Sequence, residues 1–155
     1  MRALTLTQPW AGLVASSVKL VENRPRRLIK REDFGTPFAI HASREIDESV
    51  YGRIAEIAPE LKADLSDIAE SLWYPLTRIT SAVIGIATID RVVDDYDTLD
   101  PILGAQRRWY FGPIGYVLRD VRALATPVPC RGWQGFWTLT PDVERAVAAQ
   151  IAKAA

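Results

Sequence analysis

Lys19, Glu22 and Arg24 stand close together in the stretch VKLVENRPRR (Val18 to Arg27), with Arg26 and Arg27 just beyond Pro25. An ammonium, a carboxylate and a guanidinium at this spacing can do one of three things. On an open surface, Glu22 and Arg24 would form a solvated pair worth at most about 1 kcal/mol. As a binding site, Arg24 and Lys19 would hold phosphate or carbonyl oxygens, while Glu22 orients Arg24 or accepts a hydrogen bond from a base amino group. As a catalytic site, Lys19 would act as base or nucleophile with Glu22 moving the proton. On an ideal strand Glu22 and Arg24 share a face and Lys19 points to the other. Convergence of all three therefore requires a chain still turning at Val18, which the Ser16-Ser17 break permits.

Further residues with usable chemistry lie downstream. His41 sits in an apolar run, where it is either a satisfied core histidine or a hydrogen-bonding group at a rim, with Ser43 two residues on along the same face. No acid is placed to complete a nucleophilic set with these two. Trp109 and Trp133 fall in loops beside Arg107, Arg108 and Arg131, an arrangement used to stack unpaired bases while arginines hold phosphates. Packing in the core is the competing role for both rings. Cys130, between Pro129 and Arg131, is the only cysteine, so no internal disulfide can form. With a single histidine as well, the chain has no Cys/His set for a structural zinc, and neither a metal nor another cofactor is expected.

The elements that must position these groups follow from pattern. Arg2 to Thr7 alternates as a strand, with Leu4 and Leu6 on one face. A short helix follows, in which Pro9 occupies the first turn and Trp10, Leu13 and Val14 form an apolar stripe. VKLVE is a second strand, ended by Pro25. Arg26 to Asp33 is a charged loop, and Thr36 to Ser43 a third, buried strand. Residues 46–72 carry apolar side chains at helical spacing, broken at Pro59, and read as an acidic insert of two helices. Ile79 to Val93 is the longest β-type run, with Gly85 marking a bend or bulge. Ile114 to Val121 is a further strand, TPVPCRGWQGFWTLT a loop, and Thr140 opens a C-terminal helix. About five short strands without regular crossover helices predict an α+β fold, a small mixed barrel with few parallel units.

One domain spanning 1–155 is the expected organisation. The composition, 48% hydrophobic and 25% charged, is that of an ordinary globular chain. No run is apolar enough for a membrane span, so a cytoplasmic protein without membrane partners is expected. The net charge of zero hides a segregation: residues 1–31 carry +6, residues 32–100 carry −10 and residues 101–155 carry +4. If the two ends pack together, a positive face results, the footprint of phosphate or nucleic-acid binding.

The order of motifs resembles the ASCH domain, a PUA-like β-barrel family with the signature G-x-K-x-x-E-x-R. Lys19, Glu22 and Arg24 match its charged positions, and Ser17 stands where the glycine is expected. Gln8-Pro9-Trp10-Ala11 upstream, Ile40 to Ser43 downstream, Trp109 to Pro113 and Arg131 to Trp137 also resemble members of the family. The resemblance implies a PUA-like barrel with a cleft beside the first short helix, and RNA or a modified nucleoside as partner. It extends the candidate binding set to Gln8, Trp10, Lys19, Glu22, Arg24, Arg26, His41, Ser43, Trp109, Arg131, Trp133 and Gln134. It also implies an enzymatic alternative, because some members resemble amidohydrolases of N4-acetylcytidine and others ribonucleases. Lys19 then would be the catalytic residue, assisted by Glu22, although the small amidohydrolases carry a different residue at that second position.

Overall fold

The protein is described from a computed structural model, which covers residues 1–61, 71–97 and 99–153. Six strands form one mixed sheet: β1 (Arg2–Gln8), β2 (Val21–Arg24), β3 (Pro37–Ile46), β4 (Ala82–Asp94), β5 (Ile114–Pro129) and β6 (Phe136–Thr138), in the order β2-β5-β4-β3-β1-β6. The helices are α1 (Trp10–Ala15), α2 (Val50–Ile57), α3 (Tyr74–Thr77), α4 (Leu99–Leu103) and α5 (Pro141–Lys153), with short 3-10 turns at Arg31–Asp33 and Gly104–Trp109. The fold class is the expected α+β. Among the described residues no helix is long and apolar enough to cross a membrane.

Three details differ from the sequence pattern. β1 and β3 are parallel neighbours, pairing Ala3 with Ala39 and Thr5 with His41. β6 is a sixth strand inside the Gly- and Trp-rich segment expected to be a loop, where it pairs Ala3 with Trp137 and brings the chain ends together. The sheet is also not closed into a barrel: β2 and β6, its edges, are not hydrogen-bonded to each other. Of the acidic insert, α2 is the first expected helix. The second falls mainly on residues 62–70, outside the described residues.

The sheet is nevertheless strongly curled. Arg24 on β2 and Thr5 on β1 are separated by four strand-to-strand steps, about 19 Å on a flat sheet. Yet Arg24 Nη2 donates to the Thr5 carbonyl oxygen at 3.0 Å. Register shifts in β3, β4 and β5, one of them beside Gly85, supply the bends that bring the strands round. A seam between β1 and β2 remains, spanned by a side chain instead of a backbone ladder.

α1 holds the inside of this curl, burying Ala11, Gly12, Leu13, Val14 and Ala15. Its partner α3 approaches so closely that a β-carbon on Gly12 would lie 2.5 Å from the backbone nitrogen of Thr77. Gln8 ties the junction together. Its amide nitrogen donates to the carbonyls of Leu76 (2.8 Å) and Ile79 (2.6 Å), and its oxygen accepts from Gly12 N–H at 3.0 Å. On the other face of the sheet, α5 packs Val143 and Val147 against Ala3, Ala39, Val83 and Leu124.

The end of α1 is a Schellman turn: Ser17 N–H donates to Val14 O at 2.9 Å and Val18 N–H to Leu13 O at 3.0 Å. Ser17 occupies the left-handed position of that turn, with φ of 64°. Two opposite effects follow for denaturant unfolding. Gly12→Ala is expected to lose about 1–3 kcal/mol through overpacking against Thr77. Ser17→Gly is expected to gain about 1 kcal/mol by relieving the left-handed backbone. Unchanged midpoints for both would contradict this account of the α1 junction.

Candidate functional site

The turn at Ser17 rotates the chain so that Lys19 meets the side chains of β2. Lys19 is 2% exposed. Its Nζ donates to Val21 O at 2.6 Å and to Glu22 Oε2 at 3.0 Å, and lies 5.6 Å from the Trp10 ring centroid. The other carboxylate oxygen, Oε1, is 3.1 Å from Arg24 Nε. That second contact is an ion pair without good hydrogen-bond angles, since Arg24 Nε has no aligned acceptor. Arg24 reaches onward to Thr5 O. Two cations thus share one carboxylate in a largely buried chain that ends on the seam. Removing one member would strand the others, at a cost of about 3–5 kcal/mol.

Two cavities open along the seam. The smaller, about 250 Å³, is floored by Lys19, Glu22 and Arg24 and walled by Trp10, Phe111 and Arg53. Asn23 of β2 builds the aromatic wall: its amide donates to Trp109 O at 2.8 Å and its oxygen accepts from Phe111 N–H at 2.7 Å. Phe111 then stands 5.8 Å from Trp10, and the Arg53 guanidinium from α2 lies over its ring at 4.4 Å. The larger cavity, about 1190 Å³, lies across Thr5, Thr7 and Arg24, which line both. Arg24, Arg26, Arg44 and Arg131 line it, and among the described residues no Asp or Glu does.

His41 anchors the back of the larger cavity. Its Nε2 is 3.1 Å from Cys130 O, its Nδ1 is 3.3 Å from Thr5 Oγ1, and Trp137 Nε1 donates to that hydroxyl at 3.0 Å. Indole only donates, so the single Thr5 hydroxyl proton is free to go to Nδ1. His41 is then the neutral imidazole, with its proton on Nε2 toward Cys130. Gly132 lies flat against this ring, where a β-carbon would approach His41 Cε1 to 2.2 Å. Burial lowers the His41 pKa from its ordinary 6.5, the bond to Cys130 partly opposing the shift. The Cys130 thiol is pushed up, chiefly by burial, which opposes thiolate formation.

The structure gathers Trp10, Lys19, Glu22 and Arg24 at the smaller cavity. At the larger it gathers Arg24 again with Arg26, His41, Ser43, Arg131, Trp133 and Gln134. Ser43 sits at the rim, its hydroxyl donating to Glu45 O at 3.0 Å. Gln8 and Trp109 line neither. Gln8 is fully buried with its amide spent on α1 and the segment around α3. Trp109 is fully buried edge-on to Trp10, supporting the wall from behind. Thr5, Thr7, Asn23, Arg53 and Phe111 are lining residues that the site reading from sequence missed. The aromatic turn WYFGP pointed to Phe111, whereas nothing local to Arg53 announces its destination.

No protein-family model matches the sequence, and no curated protein does. The fold, in contrast, is matched by solved structures over nearly the whole chain. The crystal structure of ASCH from Zymomonas mobilis superposes with a TM-score of 0.56 at 17% identity, covering 96% of this chain and 93% of that one. Two single-site mutants of that protein superpose with TM-scores of 0.55, at 17% and 15% identity, each covering 96% of this chain and 94% and 96% of theirs. The chain therefore shares the architecture of an ASCH protein.

Because the fold favours neutral His41, the stability it contributes is fully present above about pH 6.5 and is lost as pH falls through the lowered folded-state value. Urea midpoints measured between neutral and mildly acidic pH should therefore fall more steeply for the wild type than for His41→Gln. Parallel slopes would contradict the neutral, hydrogen-bonded imidazole.

Proposed function

We propose that the chain binds RNA or a modified nucleoside, with a base in the smaller cavity against Lys19, Glu22 and Arg24. The observation that carries this reading is the buried Lys19–Glu22–Arg24 chain opening on a 250 Å³ hollow walled by Trp10 and Phe111. That space lies just below the usual range of about 300–1,000 Å³ for small-molecule pockets, which suits one planar ring system. The Trp10–Phe111 pair gives such a ring an apolar surface to pack against. Its edge meets a donor in Lys19 and spare acceptor capacity on Glu22, whose carboxylate offers about four lone-pair sites. The pair of cations leaves the floor with an excess positive charge, suited to a carbonyl oxygen or an adjoining phosphate. The shared architecture with an ASCH protein and the match to the family's charged signature support the same reading.

The Lys19–Glu22 contact also supports a second reading, hydrolysis. Glu22 takes a proton from Lys19, and the free amine then draws one from a water that adds to an N4-acetyl carbonyl, the C–N bond breaking to release acetate and the reprotonated cytosine amine. On RNA the same amine draws the proton from a 2′-hydroxyl that attacks the adjacent phosphate and displaces the 5′-oxygen. Binding is favoured because Lys19 is held from three sides, by Val21 O, Glu22 and the Trp10 face. The test is incubation with N4-acetylcytidine and with labelled RNA, alongside affinity measured across salt concentrations. The expected result is salt-dependent RNA binding without deacetylation or cleavage, weakened at least about tenfold (1.4 kcal/mol) by Lys19→Met. Arg53→Ala, an exposed change at the same cavity, is expected to weaken binding in the same direction and guards against a folding defect in the Lys19 variant. Turnover that requires Lys19 would establish the hydrolase instead, and intact binding in both variants would remove the site assignment.

A further inference from the structure

The larger cavity differs in chemistry from the smaller one beside it. Four guanidiniums line it without a carboxylate among the described residues, so it is a hollow of like charge that an anion would relieve. Arg24 is fixed by Glu22 and Thr5 O. Arg26 and Arg131 have no ion pair among the described residues, and Arg44 pairs only with its exposed neighbour Glu45. The positive ends of the chain meet here, since Arg24 and Arg26 come from the first 31 residues and Arg131 from the last 55. A second feature is aromatic. Trp133 is 53% exposed, and the Arg131 guanidinium lies 4.3 Å from its ring centroid. Arg131 thereby steadies one face of an indole that is about half open to solvent. The positive character stops beyond Arg44, where Glu45 and Asp47 line the next hollow.

We propose that the larger cavity is a second-nucleotide subsite, so that the ligand is a single strand of at least two nucleotides. This rests on the reading that one base occupies the smaller cavity. From that base the phosphodiester passes Thr5, Thr7 and Arg24, the residues common to both cavities. The next phosphate lies between Arg26 and Arg131, and its base stacks on Trp133. The acidic hollow past Arg44 turns the strand away on that side. A free nucleoside fills only the smaller cavity and leaves the arginines unneutralised.

The experiment compares cytidine, a cytidine-containing dinucleotide and a short fluorescein-labelled single-stranded RNA, each titrated into wild type, Arg26→Ala/Arg131→Ala and Trp133→Ala. The wild type is expected to bind the dinucleotide at least about tenfold more tightly than cytidine. In the arginine double variant, affinity for the RNA should fall at least tenfold more than affinity for cytidine. Its slope of log affinity against log salt should shrink by about 0.7, the value for one phosphate contact on a single strand. Trp133→Ala should likewise discriminate against the dinucleotide and the RNA. If cytidine, dinucleotide and RNA bind the wild type equally, or the salt slope is the same in the double variant, the second subsite is refuted while the base-in-cleft reading stands. If neither cytidine nor RNA binds the wild type, both fall together.

Discussion

The hydrogen bond from Arg24 to the Thr5 carbonyl oxygen is the constraint on which the rest of the molecule turns. The sheet curls far enough to bring its first and second strands side by side but leaves them without a backbone ladder. One side chain spans the gap. Because that side chain is charged, it needs a carboxylate, and Glu22 supplies it. Because Glu22 is nearly buried, it in turn draws in Lys19. The ion chain is therefore a structural clasp and a potential recognition surface at once, and both cavities exist because the seam is bridged and not closed.

This arrangement bears on how Lys19 can work. Lys19 Nζ donates to a carboxylate and a carbonyl oxygen and sits beside the Trp10 ring, so its amine is held in one position. Under the proposed binding role, that fixed amine is the donor offered to a ligand oxygen. His41 and Thr5 work in the opposite sense, forming a neutral hydrogen-bonded relay that holds the Gly132 segment against the sheet. Loop positions near Trp133 thereby inherit the rigidity of β1 and β3.

Much of this could be read from residues alone, and the remainder has identifiable physical reasons for escaping. Lys19, Glu22 and Arg24 stood out because unlike charges at close spacing, next to a helix end, imply a turn that brings them together. The missing glycine at Ser17 was a legible departure, and its left-handed backbone accounts for why a glycine suits the position. Trp109 and Trp133 look alike in sequence, each beside an arginine, but only tertiary packing under Trp10 sends one inward. β6 spans three residues in a Gly-rich stretch, too few to show alternation. The parallel pairing of β1 with β3 and the delivery of Arg53 by α2 depend on contacts between distant segments, which no local pattern encodes.

The central claim is that ligand occupies the seam between β1 and β2. The most direct measurement is nuclear magnetic resonance mapping of backbone amides and indole N–H groups during titration with a short single-stranded RNA. The account predicts the largest shifts at Thr5, Thr7, Asn23 and Phe111, together with the indole signals of Trp10 and Trp133. Shifts confined to the opposite face, along α5 and the end of β5, with the seam unmoved, would contradict it.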